Sequence, residues 1–135
     1  MTEKQVWYSA NVWTDFPTLD EIIESCAKAR LGRFGGGLCI NIPGKPRFWV
    51  NFGKDSFIRG VGRTQLHVAG IVNADSASVF RVPKVYLGFS KWGRGYFVMD
   101  FIEGMTSAQR QSDGGKFQER DIIAVADAVR QLTNI

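Results

Sequence analysis

One histidine, two cysteines, four prolines and no long apolar run mark what these 135 residues have little of. Cys26 and Cys39 are too few for a disulfide framework and lack the company that would hold zinc. Both thiols are therefore expected to be reduced, in the cytoplasm. His67 stands without a second histidine or a nearby acidic cluster, so no metal set is read. The apolar runs last only a few residues, far short of the ~20 that span a bilayer. The opening Met-Thr-Glu-Lys-Gln-Val-Trp-Tyr has no basic segment leading into an apolar stretch, so no secretory leader is read either. Also missing are a Gly-x-Ser-x-Gly elbow, a cysteine with a histidine beside it in sequence, and a phosphate loop ending in Gly-Lys-Ser/Thr. No cofactor is implied.

What is present is the composition of one folded domain, 44% hydrophobic and 22% charged. The net charge of +4 is spread out; its densest cluster, Lys28, Arg30 and Arg33, is interrupted by Ala29, Leu31 and Gly32. That pattern fits a soluble surface better than a nucleic-acid stripe. One stretch, Arg94-Gly95-Tyr96-Phe97-Val98-Met99-Asp100-Phe101, resembles the basic-glycine-aromatic strand of RNA-recognition motifs. It is one residue short after the first aromatic, which turns the later aromatics to the opposite face. The βαββαβ order of those motifs is missing too, which argues against nucleic acid as a partner.

Along the chain, residues 1–16 carry Trp7, Tyr8, Trp13 and Phe16 and read as an arm laid on the domain, or as a partner-binding tail. Thr18 and Glu21 form a capping-box pattern, and Leu19, Ile22, Ile23, Cys26 and Ala27 recur at helical spacing, which predicts a helix over about 18–30. Gly35-Gly36-Gly37 then serves either as a flexible turn or as backbone N–H groups offered to an anion. Residues 38–42 and 47–52 read as antiparallel strands around a Pro43-Gly44 turn. A helix is expected over about 62–72, because Gly60 and Gly62 weaken the residues before it. Strands follow over 82–89 and 95–102, then a loop over 104–116. Last comes an amphipathic helix over 118–132 whose Ile122, Val125, Ala126, Val129 and Leu132 pack on something apolar. The fold class is α+β in a single domain spanning 1–135, with a mainly antiparallel sheet and helices packed on one face.

Arg81-Val82-Pro83-Lys84-Val85-Tyr86 followed by residues 95–104, with Phe48-Trp49-Val50-Asn51-Phe52-Gly53 and Gly62-Arg63-Thr64-Gln65 upstream, resembles the N-lobe of a known family. It is the aminoglycoside-phosphotransferase-like branch of the protein-kinase-like superfamily, its fungal members above all. The resemblance covers roughly 38–135, is specific over 81–104, and makes 38–104 the sheet-and-helix body, with a C-terminal helix over 118–134. It places Asn51 where the family's third strand bears a phosphate-holding lysine. Val61, or Gln65 in a shifted register, stands where the αC helix bears the partner glutamate. Lys54 is three residues away and on the opposite face. The family's catalytic aspartate and metal ligands lie in a C-terminal lobe beginning about where this sequence stops. The resemblance therefore implies a degenerate, pseudokinase-like N-lobe without phosphoryl transfer. Its uncovered underside would be closed by the arm, the last helix, a second copy or a ligand.

Three functions compete. The first is a non-catalytic protein that binds a protein partner or forms a homo-oligomer through its cleft or underside. Gly35, Gly36, Trp49, Asn51, Phe97, Met99, Asp100 and Ile102 are its candidate binding residues. The second is a small-molecule cyclase or isomerase with Trp49, Phe97 and Met99 lining an apolar cleft and Asp100 or Glu103 as the acid. Core packing and a strand-end surface carboxylate are the plainer roles for those residues. The third is residual nucleotide binding by the backbone from Asp100 to Ile102.

Overall fold

The computed structural model describes residues 4–10, 16–29, 35–103 and 119–133. Its elements are β1 (Gln5–Ser9), α1 (Leu19–Ala29), β2 (Gly36–Ile40), β3 (Phe48–Lys54), α2 (Asp55–Val72), β4 (Val85–Lys91), β5 (Arg94–Asp100) and α3 (Glu119–Thr133). They fall into two units, one of Met1–His67 with Pro83–Phe101, the other of Val68–Val82 with Ile102–Ile135. The expected loop over 104–116 lies outside the described residues.

The first unit is a five-stranded sheet in the order β1-β4-β5-β3-β2, antiparallel throughout. Alternation along β3 and β5 sorts their side chains. Phe48, Val50, Phe52, Tyr96 and Val98 join one core with Ile22 and Cys26 of α1, whereas Phe97 and Met99 join another with Ile58 and Leu66 of α2. The α+β antiparallel class is as expected, but the packing is two-sided: α1 covers one face and α2 the other. A helix's apolar stripe says that it packs, not on which face. Val85 and Leu87 belong to different cores because the β4–β5 register shifts between them.

Helix α1 starts as its sequence predicts. The Thr18 N–H donates to Glu21 Oε1 at 2.9 Å, and the Glu21 N–H donates to Thr18 Oγ1 at 3.1 Å. Helix α2 instead begins at Asp55, not near residue 62. Its first N–H donates to the Gly93 carbonyl at 2.9 Å, and its carboxylate accepts from Ser90 Oγ and from Arg59 Nη2. These contacts with the β4–β5 end outweigh the propensity cost of Gly60 and Gly62.

Gly62 also has a packing role. A Cβ on it would lie 2.6 Å from the Trp7 indole, and one on Gly88 would lie 2.4 Å from the same ring. The two glycines form the slot that seats Trp7, so residues 5–9 of the N-terminal arm are an added strand with the Trp7 indole inserted between β4 and α2, while Trp13 lies outside the described residues. The β4–β5 turn, Trp92-Gly93, has φ of 52° and 73°. This matches the two-residue turn with both central residues left-handed, which suits Asn-Gly. Tryptophan there costs about 1–2 kcal/mol.

In the second unit Asn73 binds Val82 from both ends of its amide, donating to the carbonyl at 2.7 Å and accepting from the N–H at 2.9 Å. Gln131 of α3 accepts from the Val79 N–H at 3.0 Å and donates to Ser78 Oγ at 2.7 Å. The helix is where its periodicity predicts, but its apolar stripe is not buried. Ile122, Val125, Val129 and Leu132 are 45–57% exposed, because the helix turns the polar Gln131 toward its own unit. Among the described residues no helix is long and apolar enough to cross a membrane.

Candidate functional site

Between the β2–β3 edge and the first turns of α2 lies a cavity of about 510 Å³, within the range of ligand sites. One wall is the side-chain-free run Gly35, Gly36 and Gly37; the others are Asn51 and Lys54 of β3, Phe57, Ile58 and Val61 of α2, and Phe97 of β5. Strand alternation points Asn51 and Phe97 to the α2 face. Phe57 and Ile58 both neighbour Val61 because residues four and three apart are adjacent on a helix surface.

Lys54 apart, the polar groups beside it are neutral. Trp49 Nε1 donates to Asn51 Oδ1 at 3.3 Å, and Asn51 Nδ2 points to Met99 Sδ at 3.9 Å. From α2, Gln65 Nε2 donates to the same sulfur at 3.0 Å and to the Pro83 carbonyl at 2.9 Å. Val61, not Gln65, lines the cavity with Asn51. Lys54 is exposed at the rim and makes no ion pair among the described residues.

Asp100 occupies a different environment. Its Oδ2 accepts from the Lys84 N–H at 2.8 Å and its Oδ1 from the Tyr86 hydroxyl at 2.7 Å, while its own N–H donates to the Lys84 carbonyl. By strand parity it lies on the α1 face, away from Asn51. Burial, with the hydrogen bond to Asp100 and its charge, pushes the Tyr86 phenol up to about 12. The carboxylate thus fastens the start of β4 to the end of β5.

The structure brings Gly35, Gly36, Asn51 and Phe97 together around one cavity and sets Trp49 and Met99 beside Asn51 on the same face. It puts Asp100 elsewhere. Ile102 and Glu103 are exposed residues of the second unit. Phe57 and Ile58 are lining residues that the sequence did not disclose, since they precede the expected helix start. An α2 beginning at Asp55 would have revealed their alignment with Val61.

Tyr96, the first aromatic of the RNA-like stretch, is stacked on Phe89 at 4.8 Å inside the core, so it offers no platform to a base. Among the described residues no three His, Cys, Asp or Glu side chains gather as a metal site. The chain matches no family model, no curated protein and no solved structure.

Proposed function

We propose that this chain is a non-catalytic, pseudokinase-like binding protein whose cleft between β2–β3 and α2 takes a protein segment from a second copy. The observation that carries this reading is the neutral pair across the cavity, Asn51 on β3 and Val61 on α2, where the resemblance calls for lysine and glutamate. Without them a triphosphate has no lysine–glutamate anchor at the sheet, and Lys54 stands only at the exposed rim. The order β3, α2, β4, β5, with β3 beside β5, also agrees with the elements the resemblance assigns.

Strand β2 ends the sheet, and among the described residues no strand pairs with its outer edge. Gly36 and Gly37 put no side chain in the way, and the adjoining cavity offers Phe57, 67% exposed, and Val61 to an incoming apolar residue. An added strand with one side chain in the cavity uses backbone bonds for affinity and the cavity for selectivity.

Sedimentation velocity tests the reading. The wild-type chain is expected to dimerise at concentrations on the order of 10 μM, and Phe57→Ser to weaken the dimer by about ten-fold or more. A monomer at every concentration, or a dimer indifferent to Phe57→Ser and Val61→Ser, overturns it.

The cavity's volume also suits a small apolar ligand. That second reading, a cyclase or isomerase, does not have Asp100 as its acid, because both of that residue's oxygens are engaged on the other face.

A further inference from the structure

Strands β1 and β2 stand at opposite ends of the sheet, so what β1 does is independent of the cleft beside β2. Three kinds of contact hold residues 4–10 to the body. Gln5, Val6, Tyr8 and Ser9 pair with β4, and the Ala10 N–H donates to the Tyr86 carbonyl at 2.9 Å. Lys4 bridges to Asp20 of α1 at 2.6 Å. The third contact is Trp7, whose indole fills the slot that Gly62 and Gly88 leave open and packs on the core of Ile58, Val85 and Phe97.

The seat is specific in shape but imperfect in fit. A side chain at either glycine would occupy the space that the ring takes, so the body is built around an indole. Yet the ladder skips Trp7, with a register shift between Val6 and Tyr8. The Trp7 Nε1–H is buried with no hydrogen-bond partner among the described residues, and a buried donor left unpaired costs its desolvation. No residue of β1 is fully buried, and Gln5, Val6 and Ser9 are exposed. A strand at the end of a sheet with these features opens at a lower free energy than the core strands. Opening it bares one edge of β4 together with an apolar slot, the combination that accepts an added strand.

We propose that the groove between β4 and α2 is a strand-acceptor site whose ligand is the Trp7 arm of a second copy, exchanged for the chain's own. The seated arm is the template for its replacement: each contact named above runs from the arm to the body, and none depends on which copy the arm belongs to. Exchange of an identical element in this way needs no new contacts. In the wild-type chain the tethered arm competes at an effective concentration on the order of millimolar. The closed form therefore holds in dilute solution, and exchange takes over as copies are crowded.

Two complementary variants test the exchange. Trp7→Ala leaves a vacant seat, and Gly88→Ala fills the seat with a methyl but keeps an arm whose indole has no place at home. Phe57→Ser in both removes association through the cleft, so the outcome does not share the fate of that reading. Mixed in equal amounts, the two are expected to form a heterodimer in sedimentation velocity with a dissociation constant of about 10–100 μM. Each alone, and Trp7→Ala mixed with the Trp7→Ala/Gly88→Ala double variant, should associate at least about ten-fold more weakly. A synthetic peptide of residues 2–12 probes the same seat should Gly88→Ala fail to fold. It should bind the Trp7→Ala chain in the same range and the wild-type chain at least about ten-fold more weakly, because the tethered arm is in the way. The inference is overturned if folded Gly88→Ala does not pair with Trp7→Ala, or if the peptide does not bind the Trp7→Ala chain. It is equally overturned if the peptide binds wild type as tightly, or binds as well with its own Trp7 replaced by alanine.

Discussion

Asn51 on β3 and Gln65 on α2 share one acceptor, the Sδ of Met99, at 3.9 and 3.0 Å. A thioether is a weak acceptor, so sheet and helix meet here through a soft, neutral junction. Asn51→Lys puts an ammonium against Val61 and Phe97 and is expected to lower stability by about 1–3 kcal/mol. Adding Val61→Glu recovers part of that loss, with a coupling of about 0.5–3 kcal/mol in a denaturant-melt cycle. If Val61→Glu deepens the loss, the register taken from the kinase-like resemblance is wrong.

The Trp7 slot gives a second cycle. Gly88→Ala drives a methyl into the indole and should cost about 1–3 kcal/mol. Trp7→Ala, which empties the slot, should cost about 2–3 kcal/mol. The double variant should lose clearly less than the sum, because the methyl then enters vacated space. Strict additivity in urea melts would mean that Trp7 is not seated there.

Thr18→Ala removes one half of the α1 capping box and is expected to cost about 1 kcal/mol. Its partner adds a pH signature. The Lys45 ammonium, 2.7 Å from Glu21, and then the Thr18 N–H hold the Glu21 carboxyl below its ordinary 4.5. A depressed carboxyl contributes stability above its unfolded value, and that contribution disappears as pH falls through the folded one. Melts from about pH 6 to pH 3 should therefore slope less in Glu21→Gln than in wild type.

Tyr86 gives the opposite sign at alkaline pH. Its folded value of about 12 lies above the ordinary 10, so the folded chain keeps a proton that the unfolded chain gives up. Its contribution is complete below about pH 10 and is lost as pH rises toward 12. Absorbance at the phenolate band should show a step at about 12, and Tyr86→Phe should remove that step.

Much of this was legible locally. The Thr18–Glu21 box, the turn between β4 and β5 and the alternation of Phe97 and Met99 are all written within a few residues. What was hidden depends on distant partners. The start of α2 is fixed by Ser90 and Gly93, which no window around Asp55 contains, and the value of Gly62 lies in Trp7. Asp100 looked available for chemistry because its partners, Lys84 just before β4 and Tyr86 within it, lie 16 and 14 residues away in sequence. Asn51 was legible as a cleft residue through the resemblance and Gly35 and Gly36 through the glycine run itself, whereas Phe57 was missed with the helix start. The stripe on α3 predicted burial, yet Gln131 fixes the helix the other way round.

Hydrogen–deuterium exchange at two protein concentrations tests the binding cleft most directly. The account predicts that amides of residues 35–40, and of the first turns of α2 around Phe57, exchange more slowly in the concentrated sample, and that Phe57→Ser abolishes the difference. Identical exchange of those segments at both concentrations would contradict it.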